Sequence, residues 1–186
     1  MSQFYVPGAS RISVGQYGGS TLSFLGWAVD GVNIAVQPRF DELFSDLSGP
    51  AIPEDVQFLG ADAVIRFTLA RYNESVLAGL RAFLYGGTEG SWGSCVVGSL
   101  IKAEGLGHRL FIRSPCQSKV GQTSQRGVWN FRLTYPADAI EMPLSLKATR
   151  PRITFRAIAD IRSADGSAIL YDATTTGEPS NYTLSL

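Results

Sequence analysis

Few side chains in this sequence could do chemistry at neutral pH. There is one histidine, His108, and there are two cysteines, Cys95 and Cys116, among 186 residues. Nucleophilic hydrolysis needs a base held beside a nucleophile. His108 lies between Gly107 and Arg109 at the start of an alternating apolar run, and no Gly-x-Ser-x-Gly turn occurs anywhere. A single histidine and two cysteines without Cys-x-x-Cys spacing build neither a zinc site nor a disulfide framework. Both cysteines read as free thiols, with a Cys95–Cys116 bridge the alternative that geometry decides. The glycines of Gly86-Gly87-Thr88-Glu89-Gly90 follow an apolar helical stripe and lack a Gly-Lys-Ser/Thr ending, so they make a turn and not a phosphate cradle. Asp41, Glu42, Asp46, Glu54 and Asp55 do not have the spacing of a calcium loop. Nothing in the sequence selects a pair of carboxylates for glycoside cleavage, because the fold makes such a pair. The expectation is a protein with no catalytic residue, no cofactor and no metal.

The elements that would position any site are mostly strands. Val32, Ile34 and Val36 alternate with Asn33, Ala35 and Gln37; Ile65, Phe67 and Leu69 alternate with Arg66 and Thr68; Leu110 and Ile112 alternate with Arg109, Phe111 and Arg113. Each run has the period of two of a half-buried pleat with one wet face. From Gly127 to Pro136, Trp129, Phe131, Leu133 and Tyr135 fall on one side and Asn130, Arg132 and Thr134 on the other, as in a strand crossing the core. The run Arg152 to Ile161 places Ile153, Phe155 and Ala157 on one face. Shorter candidates lie at Ile12–Val14, Leu22–Gly26, Gly98–Ala103, Ala168–Tyr171 and Tyr182–Leu186. One helix interrupts the pattern. Asn73 supplies an N-cap, Glu74 suits the positive helix end, and Val76, Leu77, Leu80, Phe83 and Leu84 form an apolar stripe before Gly86-Gly87 stop it. That stripe can lie on a sheet or plug the end of a barrel. The expected fold is mainly β, a sandwich or barrel of antiparallel strands flanked by one α-helix, with a long extended acidic loop.

Composition bounds the rest. Residues 1–186 suffice for one domain with a real core. Only 17% of the residues are charged while 45% are apolar, which leaves surface suited to contact with other copies. No apolar run approaches a membrane span, and the N-terminus lacks a basic region followed by an apolar one, so the expectation is a soluble protein that stays in the cytosol where it is made. Residues 1–93 carry five bases and nine acids, and residues 94–186 carry eleven bases and seven acids. The asymmetry is either chance or a means for the acidic surface of one subunit to meet the basic surface of the next. No basic cluster supports tight nucleic-acid binding.

Three segments lack a core pattern. Asp41 to Asp55 holds five acids, no base and two prolines, yet also Leu43, Phe44, Leu47 and Ile52; apolar residues in such a loop call for a partner surface. Asp41, Glu42, Leu43, Phe44, Asp46, Leu47, Ile52, Glu54 and Asp55 are therefore the candidate inter-subunit contacts. Gly86–Gly98 is glycine-rich and carries Trp92, which marks an interface if exposed and is ordinary packing if tucked over the sheet. Pro115–Gly127 is polar, with the composition of a mobile loop.

Taken in order, the strand containing Gly26-Trp27-Ala28-Val29-Asp30-Gly31-Val32, the long acidic stretch 39–53, and the run Asp55-Val56-Gln57-Phe58-Leu59-Gly60-Ala61-Asp62-Ala63-Val64-Ile65-Arg66-Phe67-Thr68-Leu69 leading into a helix resemble the tail tube proteins of long-tailed bacteriophages. The segment Leu146–Ile158, with Arg150-Pro151-Arg152 ahead of a strand, looks like the region that closes the same barrel. The resemblance covers residues 12–84 and, more loosely, 127–175. It implies a small β-sandwich or barrel flanked by a helix, forming hexameric rings that stack head to tail into a hollow tube for DNA. It also implies the virion tail as the location, assembly in the bacterial host cytoplasm, and as partners other copies of the chain, other phage tail or head proteins, and DNA in transit. On that reading 41–55 is the stacking loop, anchored by Leu43, Phe44 and Leu47, with its acids facing bases of the next ring. The glycine-rich 86–98 stretch and the polar 115–127 loop have no place in the family pattern. Two other readings stand beside it. One is a capsid decoration protein or a tail terminator or connector protein. The other is a carbohydrate-binding module or hydrolase on a β-sandwich, with Trp27, Trp92 or Trp129 as a sugar platform.

Overall fold

The computed structural model describes residues 2–6, 9–44, 53–85, 95, 97–114, 127–138, 140, 150–161 and 168–172, with backbone alone at 2–6, 85 and 168. In chain order the elements are β1 (Ser2–Val6), β2 (Ser10–Gln16), β3 (Ser23–Leu43), β4 (Asp55–Tyr72), α1 (Glu74–Tyr85), β5 (His108–Arg113), β6 (Val128–Pro136), β7 (Arg152–Ile158), β8 (Asp160–Ile161), β9 (Ala168–Ile169) and β10 (Tyr171–Asp172). The protein is mainly β, with a single helix among the described residues.

All pairings in the main sheet are antiparallel, in the order β1-β3-β2-β5-β6-β7-β4, and β4 also pairs with β3. The path from β3 through β2, β5, β6, β7 and β4 thus returns to its start. Its narrowest seam is β6–β7, held by Thr134↔Ala157, Tyr135↔Arg156 and Pro136↔Phe155. The result is a sheet curled on itself and not an evenly closed barrel.

Ile12, Leu25, Val32, Ile34, Ile65, Leu69, Leu110, Ile112, Phe131, Ile153 and Phe155 point into the space this sheet encloses. The stripe of α1 completes that core, with Leu77, Leu80 and Phe83 buried. The helix starts where the sequence expects: Asn73 Oδ1 accepts a hydrogen bond from the Ser75 amide at 3.1 Å, and the Asn73 amide donates to the Leu25 carbonyl at 2.8 Å. One side-chain oxygen thereby satisfies a first-turn amide, while the backbone ties the helix start to β3. The proposed stop at Gly86-Gly87 lies outside the described residues.

Several local expectations need correction. The runs Leu22–Gly26 and Val32–Val36 are one strand, β3, continuous across Asp30-Gly31. These two residues loop out between the pairs Val29↔Thr68 and Val32↔Phe67, with φ of 62° and 84°. Glycine takes that conformation freely and aspartate is among the few other residues that tolerate it. Gly98–Ala103 is not a strand, since residues 97–98 and 101–105 are turns; Glu104 Oε1 accepts from the Leu100 amide at 3.0 Å and holds the turn closed. The run to Ile161 breaks at Ala159 into β7 and β8. The rule of one wet face fails for β5 and β6: Arg109 and Phe111 are buried opposite Leu110 and Ile112, and Asn130 and Thr134 are buried too. Their polar groups are matched, with Arg109 Nε donating to Asn130 Oδ1 at 2.8 Å, Asn130 Nδ2 to Asp172 Oδ1 at 2.8 Å, and Thr134 Oγ1 to the His108 carbonyl at 2.9 Å. A buried polar side chain needs such partners, and β10, laid along β6, supplies Asp172. The strand expected at Tyr182–Leu186 lies outside the described residues.

Candidate functional site

The pairing of β3 with β4 outruns the rest of the sheet. On the far edge of β3, β1 stops opposite Val36; on the far edge of β4, β7 stops opposite Asp62. From the Pro38↔Ala61 pair to Leu43↔Asp55 the two strands have, among the described residues, only each other as ladder partners. This two-stranded arm reaches about 20 Å beyond the sheet at the ordinary rise per residue. The Glu54 amide donates to the Leu43 carbonyl at 2.8 Å and carries the pairing into the tip.

A carboxylate fixes the root of the arm. Asp62, buried on β4, accepts from Arg39 Nε at 3.2 Å and from Arg156 Nη2 at 2.8 Å. Burial by itself would raise the Asp62 pKa, but the hydrogen bonds and charges of Arg156 and Arg39 outweigh it and hold the carboxyl below the ordinary aspartate value. Asp62 therefore stays ionised and clamps β3, β4 and β7 together where the arm departs.

Beyond the clamp the arm exposes apolar side chains. Phe40, Phe58 and Leu59 are each more than half exposed, as are Phe44 and Val56, and Leu43 is exposed at 44%. Phe40 and Phe58 sit opposite one another with ring centroids 5.5 Å apart. Leu59 occupies the extra position where the register shifts between Arg39 and Phe40. Among these apolar groups stand Asp41, Glu42, Glu54 and Asp55, all exposed. Directly opposed residues share a face, so Phe40, Glu42, Val56 and Phe58 occupy one side of the ribbon and Asp41, Leu43, Asp55 and Gln57 the other. Both faces combine acid with apolar surface.

Asp41, Glu42 and Leu43 thus lie at the end of β3, Phe44 just beyond it, and Glu54 and Asp55 at the start of β4. Asp46, Leu47 and Ile52 lie outside the described residues. The expected acidic loop 41–55 is in part a hairpin ladder, because Asp41 to Leu43 pair with Asp55 to Gln57. Sequence reasoning misses Phe40, Val56, Phe58 and Leu59. Val56 and Phe58 alternate with Gln57 in the way a core strand does, and among the described residues no further strand lies beside them to cover them.

The residues considered for chemistry sit elsewhere. His108 is buried, with its ring edge-on to Phe83 at 4.5 Å between centroids. Burial lowers its pKa from 6.5 to about 4, so the imidazole is neutral at pH 7. Cys95 is a free thiol whose pKa is raised by burial and by the charge of Glu104; Cys116 lies outside the described residues. Among the described residues no group of three or more histidine, cysteine or acidic side chains could hold a metal ion, and no helix is long and apolar enough to cross a membrane. Of the tryptophans considered as sugar platforms, Trp27 is covered by the Arg11 guanidinium at 5.2 Å, Trp129 packs on Tyr171 at 4.8 Å, and Trp92 lies outside the described residues. The same holds for residues 115–126 of the polar loop. A concavity of about 480 Å³ opens beside the Asp30-Gly31 bulge, lined among others by Asp30, Asp138, Arg66, Arg152, Thr68 and Thr154. Among the described residues it offers charge of both signs and no nucleophile paired with a base.

No known protein-family description matches the chain, and no curated protein matches it either.

Proposed function

We propose that the chain is a virion structural protein that assembles with copies of itself into stacked rings, forming the tail tube through which a long-tailed bacteriophage passes its DNA. The observation that carries this reading is the arm. A lone two-stranded ribbon is marginal in water, and this one holds five apolar side chains more than half exposed together with four carboxylates. Such a surface is unfavourable in an isolated molecule and suits one that will be covered. The Asp62 clamp, with its two arginines, sets the arm's direction before any partner arrives, which lowers the ordering entropy lost on contact. An arm that leaves one end of a sheet makes a contact between unlike surfaces, and contacts of that kind propagate as rings and filaments.

Negative-stain electron microscopy of the purified protein at rising concentration tests this. Hollow tubes or rings are the expected result. Uniform small particles at every concentration would sink the tube reading and favour a decoration protein of the capsid shell.

A further inference from the structure

At the end of β3 and β4 away from the arm, four neighbouring strands bring one residue each to the same level. Arg71 on β4 is opposite Trp27 on β3, Trp27 is opposite Arg11 on β2, and Arg11 is opposite Arg113 on β5. Directly opposed residues in antiparallel strands share a face. Ile12, Ala28 and Ile112, next to Arg11, Trp27 and Arg113 in sequence, are core residues, so this row stands on the outer face. Arg71 joins it through a register shift: Ala28 faces Leu69 and Trp27 faces Arg71, with Ala70 as the extra residue that turns Arg71 outward. The row is three guanidiniums around one indole, and Arg11 stacks on that indole at 5.2 Å.

We infer that this row is the dock for the arm of the next copy of the chain. The occupant follows from complementarity. The arm offers phenylalanines and four carboxylates, and the row offers a half-buried tryptophan flanked by three arginines. The arm and the Trp27–Arg71 part of the row are borne by the same two strands at opposite ends, so stacking copies along the strand direction sets the arm of one beside the row of the next. Aromatic contact with the Arg11–Trp27 stack places the arm, and Glu42, on the same face as Phe40 and Phe58, and Glu54 at the tip meet Arg71 and Arg113. The inference rests on the stacking reading and adds to it the residues that receive the arm.

Three variants test it, each checked for an unchanged far-ultraviolet spectrum and melting temperature. Arg71→Glu/Arg113→Glu reverses the flanks of the row and leaves the Arg11–Trp27 stack in place. Glu42→Lys/Glu54→Lys reverses the two acids offered to the row. The third chain carries all four substitutions. Sedimentation velocity over a concentration series should show both double variants self-associating about tenfold or more weakly than the parent, and the fourfold variant largely restored, as expected of close charge pairs across an interface. Association of the parent should also weaken as salt rises from about 0.1 to about 1 M, where the screening length falls from about 10 to about 3 Å. If the Arg71→Glu/Arg113→Glu protein assembles like the parent while the arm variant does not, the dock lies elsewhere and the stacking reading survives. If the fourfold variant is no better than the double variants, the pairing of arm with row is refuted. A parent that stays monomeric at all concentrations removes both readings.

Discussion

Truncating the two opposed rings of the arm, Phe40→Ala with Phe58→Ala, separates assembly from folding. Each ring is 58% exposed in the single chain, so more than half of its burial is still to be gained. Fully burying such a side chain contributes about 1.5–3 kcal/mol, and the unspent part of each therefore contributes about 1–2 kcal/mol to a contact. Together the pair supplies about 2–4 kcal/mol, which lowers the association constant roughly thirty- to several-hundredfold at about 1.4 kcal/mol per tenfold. The folded chain loses less, since the part of each ring already buried contributes about 0.6–1.3 kcal/mol. The ring pair itself is worth about 0.5–1.5 kcal/mol, and it stands outside the closed path of pairings that surrounds the core. A domain of this size shifts by about 2–4 °C per kcal/mol, so melting should move by several degrees. Leu80→Ala gives the contrast, since Leu80 is buried in the core and its truncation should cost about 2–5 kcal/mol of folding stability. Sedimentation velocity read beside thermal melting gives both quantities. Self-association of the double variant within threefold of the parent would refute the assignment of the arm as the contact. So would melting that collapses as far as in Leu80→Ala, because loss of assembly would then reflect loss of the fold.

Two further outcomes follow from the packing. The folded-state pKa of His108 lies near 4 and its ordinary value is 6.5, so the unfolded chain takes up a proton first as pH falls; stability is full above about 6.5 and declines towards pH 4 by an amount on the order of 3 kcal/mol. Urea melts at stepped pH should show that loss, and His108→Leu should flatten it; an unchanged slope would mean that His108 is not its source. Gly26→Ala would drive a Cβ into the Arg71 carbonyl oxygen, a contact that backbone must move to relieve. It should lower stability by several kcal/mol, measured by the same melts, and a parent-like midpoint would show that β3 and β4 can part there freely.

Much of the fold is legible in the residue pattern, and the misses have physical causes. Ile12–Val14, the Ile65 run and Ile153 to Ala157 keep strict alternation, so their strands stand where the period puts them. Asn73 caps the helix because its side chain competes for first-turn amides whatever the tertiary context. Asp30-Gly31 interrupts the apolar alternation ahead of Val32, yet the ladder continues on either side of it, since a pair of positive φ angles fits a bulge. Leu100 and Ile101 look like strand residues until Glu104 is seen holding the Leu100 amide. On β5 and β6 the polar alternates suggest water, whereas the buried Asn130 and Thr134 find their partners 42 and 26 residues away in sequence. The acids and apolar residues of the arm are visible at once, but Phe40, Val56 and Phe58 carry the same alternation as a core strand. Which strands have a second neighbour is a property of the whole sheet and is not written locally.

The β6–β7 seam sets the order in which the molecule comes apart. Its three register pairs include Pro136, which has no amide proton to give, while the neighbouring β4–β7 ladder has seven pairs. Local opening starts where the fewest backbone bonds resist it. The amides around Thr134 and Ala157 should therefore exchange with solvent ahead of those in the middle of β4. The sheet behaves as a clasp, shut along most of its circumference and able to part along one line without its other strands letting go.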